Sequence, residues 1–206
     1  FREADEFQQA HRFERSYGRT FAGSTIGLVG LGGIGQAVAA RARAFGCRTL
    51  GLKRSARRGD TSEHVDALFP TDALHEMLAQ CDAVVIAAPA TAETHHLIDA
   101  AALAAMPRNA VLVNVARGTL VDEVELARVM REDPLAAAVL DVFDPEPLDP
   151  GSPLWDLPGV YVSAHSSVSV DRYMDDVFDL FVENLRLYLA GATLRNIVDM
   201  KALGFE

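Results

Sequence analysis

Short, continuous apolar runs alternate with helix-spaced segments along most of this chain. STIGLVG at 24–30 is β-branched and apolar, then gives way to spaced glycines and an Ala/Arg-rich stretch ending near Cys47. That pattern predicts a strand, a tight turn and a helix. RTLGL at 48–52 reads as a second strand and VDALF at 65–69 as a short third, and Thr71 opens a helix over DALHEMLAQ. DAVVIAAP at 82–89 reads as a buried strand ended by proline, which has no N–H to give a ladder. AETHHLIDAAALAAM supplies a turn and a helix capped by Asp99, and AVLVNVA at 110–116 another strand. DEVELARVMRED follows, with Asp122 and Glu125 spaced like a capping box. AAAVLDVF at 136–143 and VYVSAH read as the last strands, and 170–190 as a long amphipathic helix. Residues 2–17, polar with spaced aromatics, read as a leading helix whose Phe7, Phe13 and Tyr17 form a face that needs a partner surface.

Strands that are apolar throughout, alternating with helices, predict a parallel sheet covered on both faces. The segment 144–159 holds five of the nine prolines and is expected to be irregular. The organisation is one doubly wound α/β domain, with flanking helices that want something else to pack on.

Composition changes this picture in one place. The 206 residues carry a formal charge of −10, which argues against nucleic acid or an anionic membrane as a partner. Against that background Lys53, Arg54, Arg57 and Arg58 form a basic cluster better suited to a small anion. Cys47 and Cys81 form no CxxC pair and read as small buried apolar residues of a reducing compartment. No apolar run approaches the roughly 18 residues of a membrane span, so the cytoplasm is the expected location. His95 and His96 are adjacent, their side chains are expected to diverge, and no third ligand lies at a useful spacing for a metal.

In VGLGGIG, Gly30, Gly32 and Gly35 fit G-x-G-x-x-G. The first glycine makes the strand-to-helix turn, the second lets backbone approach a pyrophosphate, and the third allows close helix–sheet contact. The helix from Gly33 then aims its first N–H groups at the phosphates. This predicts a Rossmann-type dinucleotide site, although three glycines in a turn can also be merely structural. Arg117, Glu146 and His165 each stand just beyond an apolar strand, where an open α/β sheet binds its ligands. Each also has a bland reading, as a surface ion pair, a solvated loop carboxylate or a satisfied histidine. Spacing alone names no reaction.

GLVGLGGIGQAVAARARAFG, AAPATAETHHLID, VLVNVARGTLVDEVEL, VLDVFDPEPL and LPGVYVSAHSS occur here in one order. That order resembles the D-isomer-specific 2-hydroxyacid dehydrogenases from about Arg2 to Asp199. The resemblance implies His165 as the acid that protonates a substrate carbonyl, Glu146 as its partner, and Arg117 as the fork that holds the substrate carboxylate. A carboxylate beside an imidazolium favours the charged ring and fixes its orientation. The resemblance also implies cofactor contacts from Gly33 and Ile34 at the pyrophosphate, Pro89 and Thr94 near the adenosine half, and Val115, Ala116 and Arg117 along the crevice. Asp141 is implied to face the nicotinamide amide. A glutamate at 146 speaks against the formate dehydrogenase branch, which has glutamine there.

Lys53 stands where NAD-using relatives place an aspartate for the adenosine ribose. A Lys53–Arg54–Ser55 set instead suits a 2′-phosphate, which makes NADP the preferred cofactor and NAD the other possibility. Arg57 and Arg58 read as solvated loop charge. Two departures from the family are visible. Ala164 precedes the histidine where a proline is usual, and nothing precedes 2–17 where the family has a substrate-side domain of roughly a hundred residues. The expected organisation is a coenzyme domain over 1–190, including a leading helix within 1–20, and a segment over 191–206 that returns towards the absent domain. The implied activity is hydride transfer with a small 2-oxo or 2-hydroxy acid, in a homodimer that meets partly through the leading helix. The alternatives are a cofactor-sensing scaffold or corepressor of the same fold, or a coenzyme-binding fragment inactive alone.

Overall fold

The computed structural model describes residues 2–15 and 17–198. Seven strands form one sheet: β1 Thr25–Val29, β2 Arg48–Leu52, β3 Ala67–Phe69, β4 Ala83–Ile86, β5 Val111–Asn114, β6 Ala137–Leu140 and β7 Val160–Val162. Their order is β3-β2-β1-β4-β5-β6-β7 and every pairing is parallel. The chain starts in the middle, winds outward to β3, then crosses to β4 and winds the other way. This is the doubly wound Rossmann arrangement that the alternating pattern predicts, with its change of direction between β1 and β4.

β2 coincides with its predicted run; the other six strands lie within theirs but are shorter, because strand pairing stops where the chain leaves the sheet. Leu28, Val29, Leu50, Val84, Ile86, Leu112, Ala138 and Leu140 are buried and form the middle of the core. The helices are α1 Arg2–Gln9, α2 Gly33–Ala44, α3 Leu74–Leu78, α4 Ala100–Ala105, α5 Glu123–Glu132 and α6 Tyr173–Leu189. Asp99 caps α4 by accepting from Ala102 N–H at 2.8 Å, as its position predicts. Asp122 accepts from Val124 and Glu125 N–H at the start of α5. Glu125 does not return the bond but pairs with Arg128 at 2.8 Å, so only half of the predicted box forms.

Two sequence expectations need correction. The leading helix ends at Gln9, not near residue 17, because His11 takes a left-handed conformation and Arg12 N–H folds back to Phe7 O. Phe13 and Tyr17 therefore lie beyond the helix, exposed, and share no face with Phe7. His95 and His96 do not diverge. A left-handed His96 brings the two rings into a stack with centroids 4.0 Å apart. Both cysteines are buried and unpaired, and burial pushes the Cys81 thiol up to about 12.

None of the α6 residues is buried, and Val177, Phe178, Phe181 and Leu185 are exposed along it. The chain after α6 doubles back on it, with Arg195 N–H bonded to the Asn184 side chain at 2.8 Å. Phe1, Ser16 and the end of the expected return segment, 199–206, lie outside the described residues. Among the described residues no helix is long and apolar enough to cross a membrane.

Candidate active site

An all-parallel sheet sends every strand's carboxyl end to the same edge, and the sequence-predicted site residues follow those ends. Gly30–Gly35 follow β1, Lys53–Ser55 follow β2, and Pro89 and Thr94 follow β4. Val115–Arg117 follow β5, Asp141 and Glu146 follow β6, and His165 follows β7. One rim thus gathers groups spread over more than a hundred positions of the chain.

The glycine turn meets specific demands. Gly30 has φ +98°, and a Cβ there would lie 2.7 Å from the backbone of Ala88, so it needs both the left-handed conformation and the missing side chain. A Cβ on Gly35 would collide with the Gly30 carbonyl, which is the close packing the third glycine permits. Gly32 and Gly33 face open space, and α2 starts at Gly33 with no side-chain cap on its first N–H groups. Exposed Ile34 sits in the same turn. Uncapped N–H groups beside bare glycine backbone make a cradle for a phosphate.

Beyond β2, Lys53, Arg54 and Ser55 are exposed, and Lys53 N–H is tied to Phe69 O at 3.0 Å. Arg54 lies 3.4 Å from Glu93, across the crevice in the β4 loop. Arg58 pairs with Glu76 at 3.0 Å and Arg57 N–H is held by Asp60, in keeping with their reading as local loop charge. Thr94 Oγ1 donates to Pro89 O and accepts from Thr91 N–H, both at 2.8 Å, and so closes the β4 loop on itself.

Asn114, 1% exposed at the end of β5, shapes the Arg117 turn. Its Oδ1 accepts from Ala116 N–H at 3.1 Å and its Nδ2 donates to Arg117 O at 2.9 Å. Val115 and Ala116 form the neck of this turn, and Arg117 emerges exposed. Gly118 follows, buried, where a Cβ would overlap the Phe143 carbonyl. Glycine here lets the Arg117 turn and the Glu146 loop touch backbone to backbone. Gly118→Ala is expected to push the loops apart and lower stability by about 1–3 kcal/mol, read as a lower urea midpoint. An unchanged midpoint would refute that account.

Glu146 is held at both oxygens. Oε1 accepts from Phe143 N–H at 2.9 Å and Oε2 meets His165 Nδ1 at 2.8 Å. The His165 bond, then the Phe143 N–H, hold this carboxyl below the usual glutamate range against the opposing effect of burial, and the His165 and Arg117 charges add to them. An ionised acceptor calls for an Nδ1–H donor, which leaves Nε2 for another partner.

His165 itself has φ +47°. Its N–H donates to Asp141 O at 2.7 Å. The Asp141 side chain holds the rest of the loop: Oδ1 accepts from Ser163 Oγ at 2.6 Å and Ser166 N–H at 2.9 Å, and Oδ2 from Ser167 N–H at 3.0 Å. Burial works against ionisation of Asp141, but these bonds outweigh it and keep the carboxyl well below its usual range. Sequence reasoning missed Asn114, Gly118 and Ser163. Their signals, a polar residue ending an apolar strand, a glycine after an arginine and a serine beside a histidine, are common in loops.

Comparison with known proteins identifies the family. Residues 1–167 match the family model of the D-isomer specific 2-hydroxyacid dehydrogenase, NAD binding domain. A glyoxylate reductase from Thermococcus gammatolerans is 36% identical over 218 residues, covering 99% of this chain and 64% of that protein. Another from Korarchaeum cryptofilum is 35% identical over 181 residues, covering 88% of this chain and 54% of that protein. The chain therefore spans little more than half to two thirds of these relatives' length. A D-isomer specific 2-hydroxyacid dehydrogenase from Xanthobacter autotrophicus, solved with NADPH and MES, superposes with TM-score 0.82 at 36% identity, covering 97% of this chain and 81% of that one. An NADPH-dependent glyoxylate/hydroxypyruvate reductase from Sinorhizobium meliloti, solved with NADP and sulfate, gives TM-score 0.85 at 29% identity, covering 99% of this chain and 64% of that one. With most of its length matched to the family model and its rim built as described, this chain belongs to the D-isomer specific 2-hydroxyacid dehydrogenase family, in that family's NAD-binding domain.

Proposed function

We propose that this chain is the coenzyme-binding part of an NADPH-preferring reductase of small 2-oxo acids such as glyoxylate or hydroxypyruvate. The observation that carries this is the Glu146–His165 pair at 2.8 Å, set beside the Arg117 turn on the rim that holds the glycine cradle. The glyoxylate reductases among its relatives, and the neighbours solved with NADPH or NADP, support the reading. In this reading residues 1–190 form the coenzyme domain, 191–206 lead towards a substrate-side domain, and the reaction runs in the cytoplasm.

The nicotinamide supplies the hydride equivalent; the protein's residues do the rest. Arg117 binds the substrate carboxylate through its planar fork of donors and polarises the neighbouring carbonyl. His165 gives a proton to the carbonyl oxygen in reduction and takes it back in oxidation. Glu146 holds the ring through Nδ1 and so fixes its orientation. Gly30, Gly32, Gly33, Ile34 and Gly35 cradle the pyrophosphate, and Pro89, Thr94, Val115 and Ala116 line the crevice. Lys53, Arg54 and Ser55 receive the 2′-phosphate. Asp141 faces the nicotinamide amide, and its oxygens also hold the His165 loop. A homodimer fits the apolar surface left open, including Phe13 and Tyr17 before β1.

The test is a panel of 2-oxo acids given to the intact protein with NADPH and NADH, followed by cofactor absorbance. Turnover of at least one acid, faster with NADPH, is expected; no turnover with any would favour a cofactor-sensing scaffold. Arg54→Asp should raise the NADPH Kd about 30-fold, the worth of one charge-assisted contact of about 2 kcal/mol. NADH affinity should stay within about threefold, and equal losses for both cofactors would sink the 2′-phosphate assignment.

A further inference from the structure

Two consecutive backbone N–H groups open the loop after β6, and each is held by a glutamate. Phe143 N–H goes to Glu146 Oε1 at 2.9 Å, and Asp144 N–H goes to Glu123 Oε1 at 2.8 Å. Glu146 belongs to the loop itself. Glu123 is the first residue of α5 and lies 21 positions earlier in the chain. It is half-buried, and its bond ties the Glu146 loop to a helix anchored in the core by Leu126 and Met130.

The charged groups around Glu123 come from three elements. Asp144 and Glu146 face it from the loop, with Arg117 and His165 beyond them on Glu146. Asp122 precedes it in the α5 cap, and His96 comes from the loop after β4, with its Nδ1 3.6 Å from Asp122. Burial, followed by the Asp144 and Glu146 charges, pushes the Glu123 carboxyl up, while the Asp144 N–H and then His96 pull it back down less strongly. Glu146 is held below its usual range, so on acidification Glu123 takes up its proton first.

We propose that Glu123 is a positioning residue, which pins the 143–147 loop to α5 and so sets Glu146 and His165 against Arg117. The inference rests on the acid–base reading given above for those three groups. As a carboxylate, Glu123 makes a charge-assisted bond to Asp144 N–H. As a neutral acid it holds that N–H less firmly, and the loop loses its registration before Glu146 itself titrates.

Two substitutions separate these effects. Glu123→Ala removes the acceptor, whereas Glu123→Gln keeps an acceptor oxygen that does not titrate. In the intact protein Glu123→Ala is expected to lower kcat about tenfold with KM within about twofold. Glu123→Gln should keep kcat within about threefold and abolish the wild-type fall in kcat that accompanies Glu123 protonation. In the intact protein without substrate, the Asp144 amide resonance should follow a carboxyl titration above the ordinary glutamate value. That titration should vanish in Glu123→Gln. Wild-type kcat in Glu123→Ala at every pH, or an Asp144 amide that ignores Glu123, overturns the proposal. Full activity in a His165→Asn control would overturn the acid–base reading and this role with it, and the amide titration, needing no turnover, tells the two failures apart.

Discussion

His165→Asn is expected to lower kcat for 2-oxo acid reduction by about 1,000-fold, within the range set by losing a positioned general acid. Asparagine keeps a polar side chain of related shape but has no proton to give near neutral pH. Glu146→Gln should cost less, about 100-fold, because the imidazole stays while the charge-assisted bond that orients it is lost. The two residues act through one bond of 2.8 Å, so their effects should not add. The double variant should fall little below His165→Asn alone. NADPH affinity, read by fluorescence titration, should stay within about threefold in all three, because the proposed function puts the phosphates on the glycine cradle after β1 and not on this pair. A His165→Asn enzyme within tenfold of wild type would end the acid–base assignment, as would fully additive losses for the idea that the pair works as a unit.

Much of this site was legible in the sequence because it depends on local order. Seven apolar runs gave seven strands, and in a parallel sheet the residue after each run must appear at one rim. That alone places Arg117, Glu146 and His165 together, without any distance. The glycine turn was readable because its three glycines fall within six residues, although the Ala88 backbone that crowds Gly30 lies far along the chain. What stayed hidden depends on contacts between segments far apart in the chain. Glu123 reaches Asp144 across 21 positions and Asp141 reaches Ser166 across 25. Such side-chain-to-backbone bonds leave no periodicity. The leading helix is shorter than its aromatic spacing predicts because, among the described residues, none covers Phe13 or Tyr17, and a helix without tertiary packing is marginal at that length. The stacking of His95 on His96 depends on one left-handed residue, which the sequence gives no reason to expect.

Asp141 carries the second large expectation. It is 4% exposed, and its carboxylate accepts three bonds from the loop that carries His165. Asp141→Ala would leave the Ser166 and Ser167 N–H groups and the Ser163 hydroxyl, all on exposed residues, without this acceptor, at about 1 kcal/mol net for each bond lost. The expected loss of stability is therefore about 3 kcal/mol, read as a lower urea midpoint at neutral pH. The bonds from His165 to the Asp141 carbonyl and to Glu146 remain, but the loop on either side of its left-handed backbone is released, so turnover should fall as well, even where the variant remains folded. Asp141→Asn isolates the charge. The folded carboxyl is held below its unfolded value of about 3.9, so its contribution is fully present above that value and is lost as pH falls through it towards the folded pKa. The wild-type urea midpoint should thus drop below about pH 4. Asparagine has no such term, so the Asn variant should start lower at neutral pH and fall less steeply on acidification, the two curves converging. Parallel curves would mean that the Asp141 charge does not hold the loop, whatever the geometry of its bonds.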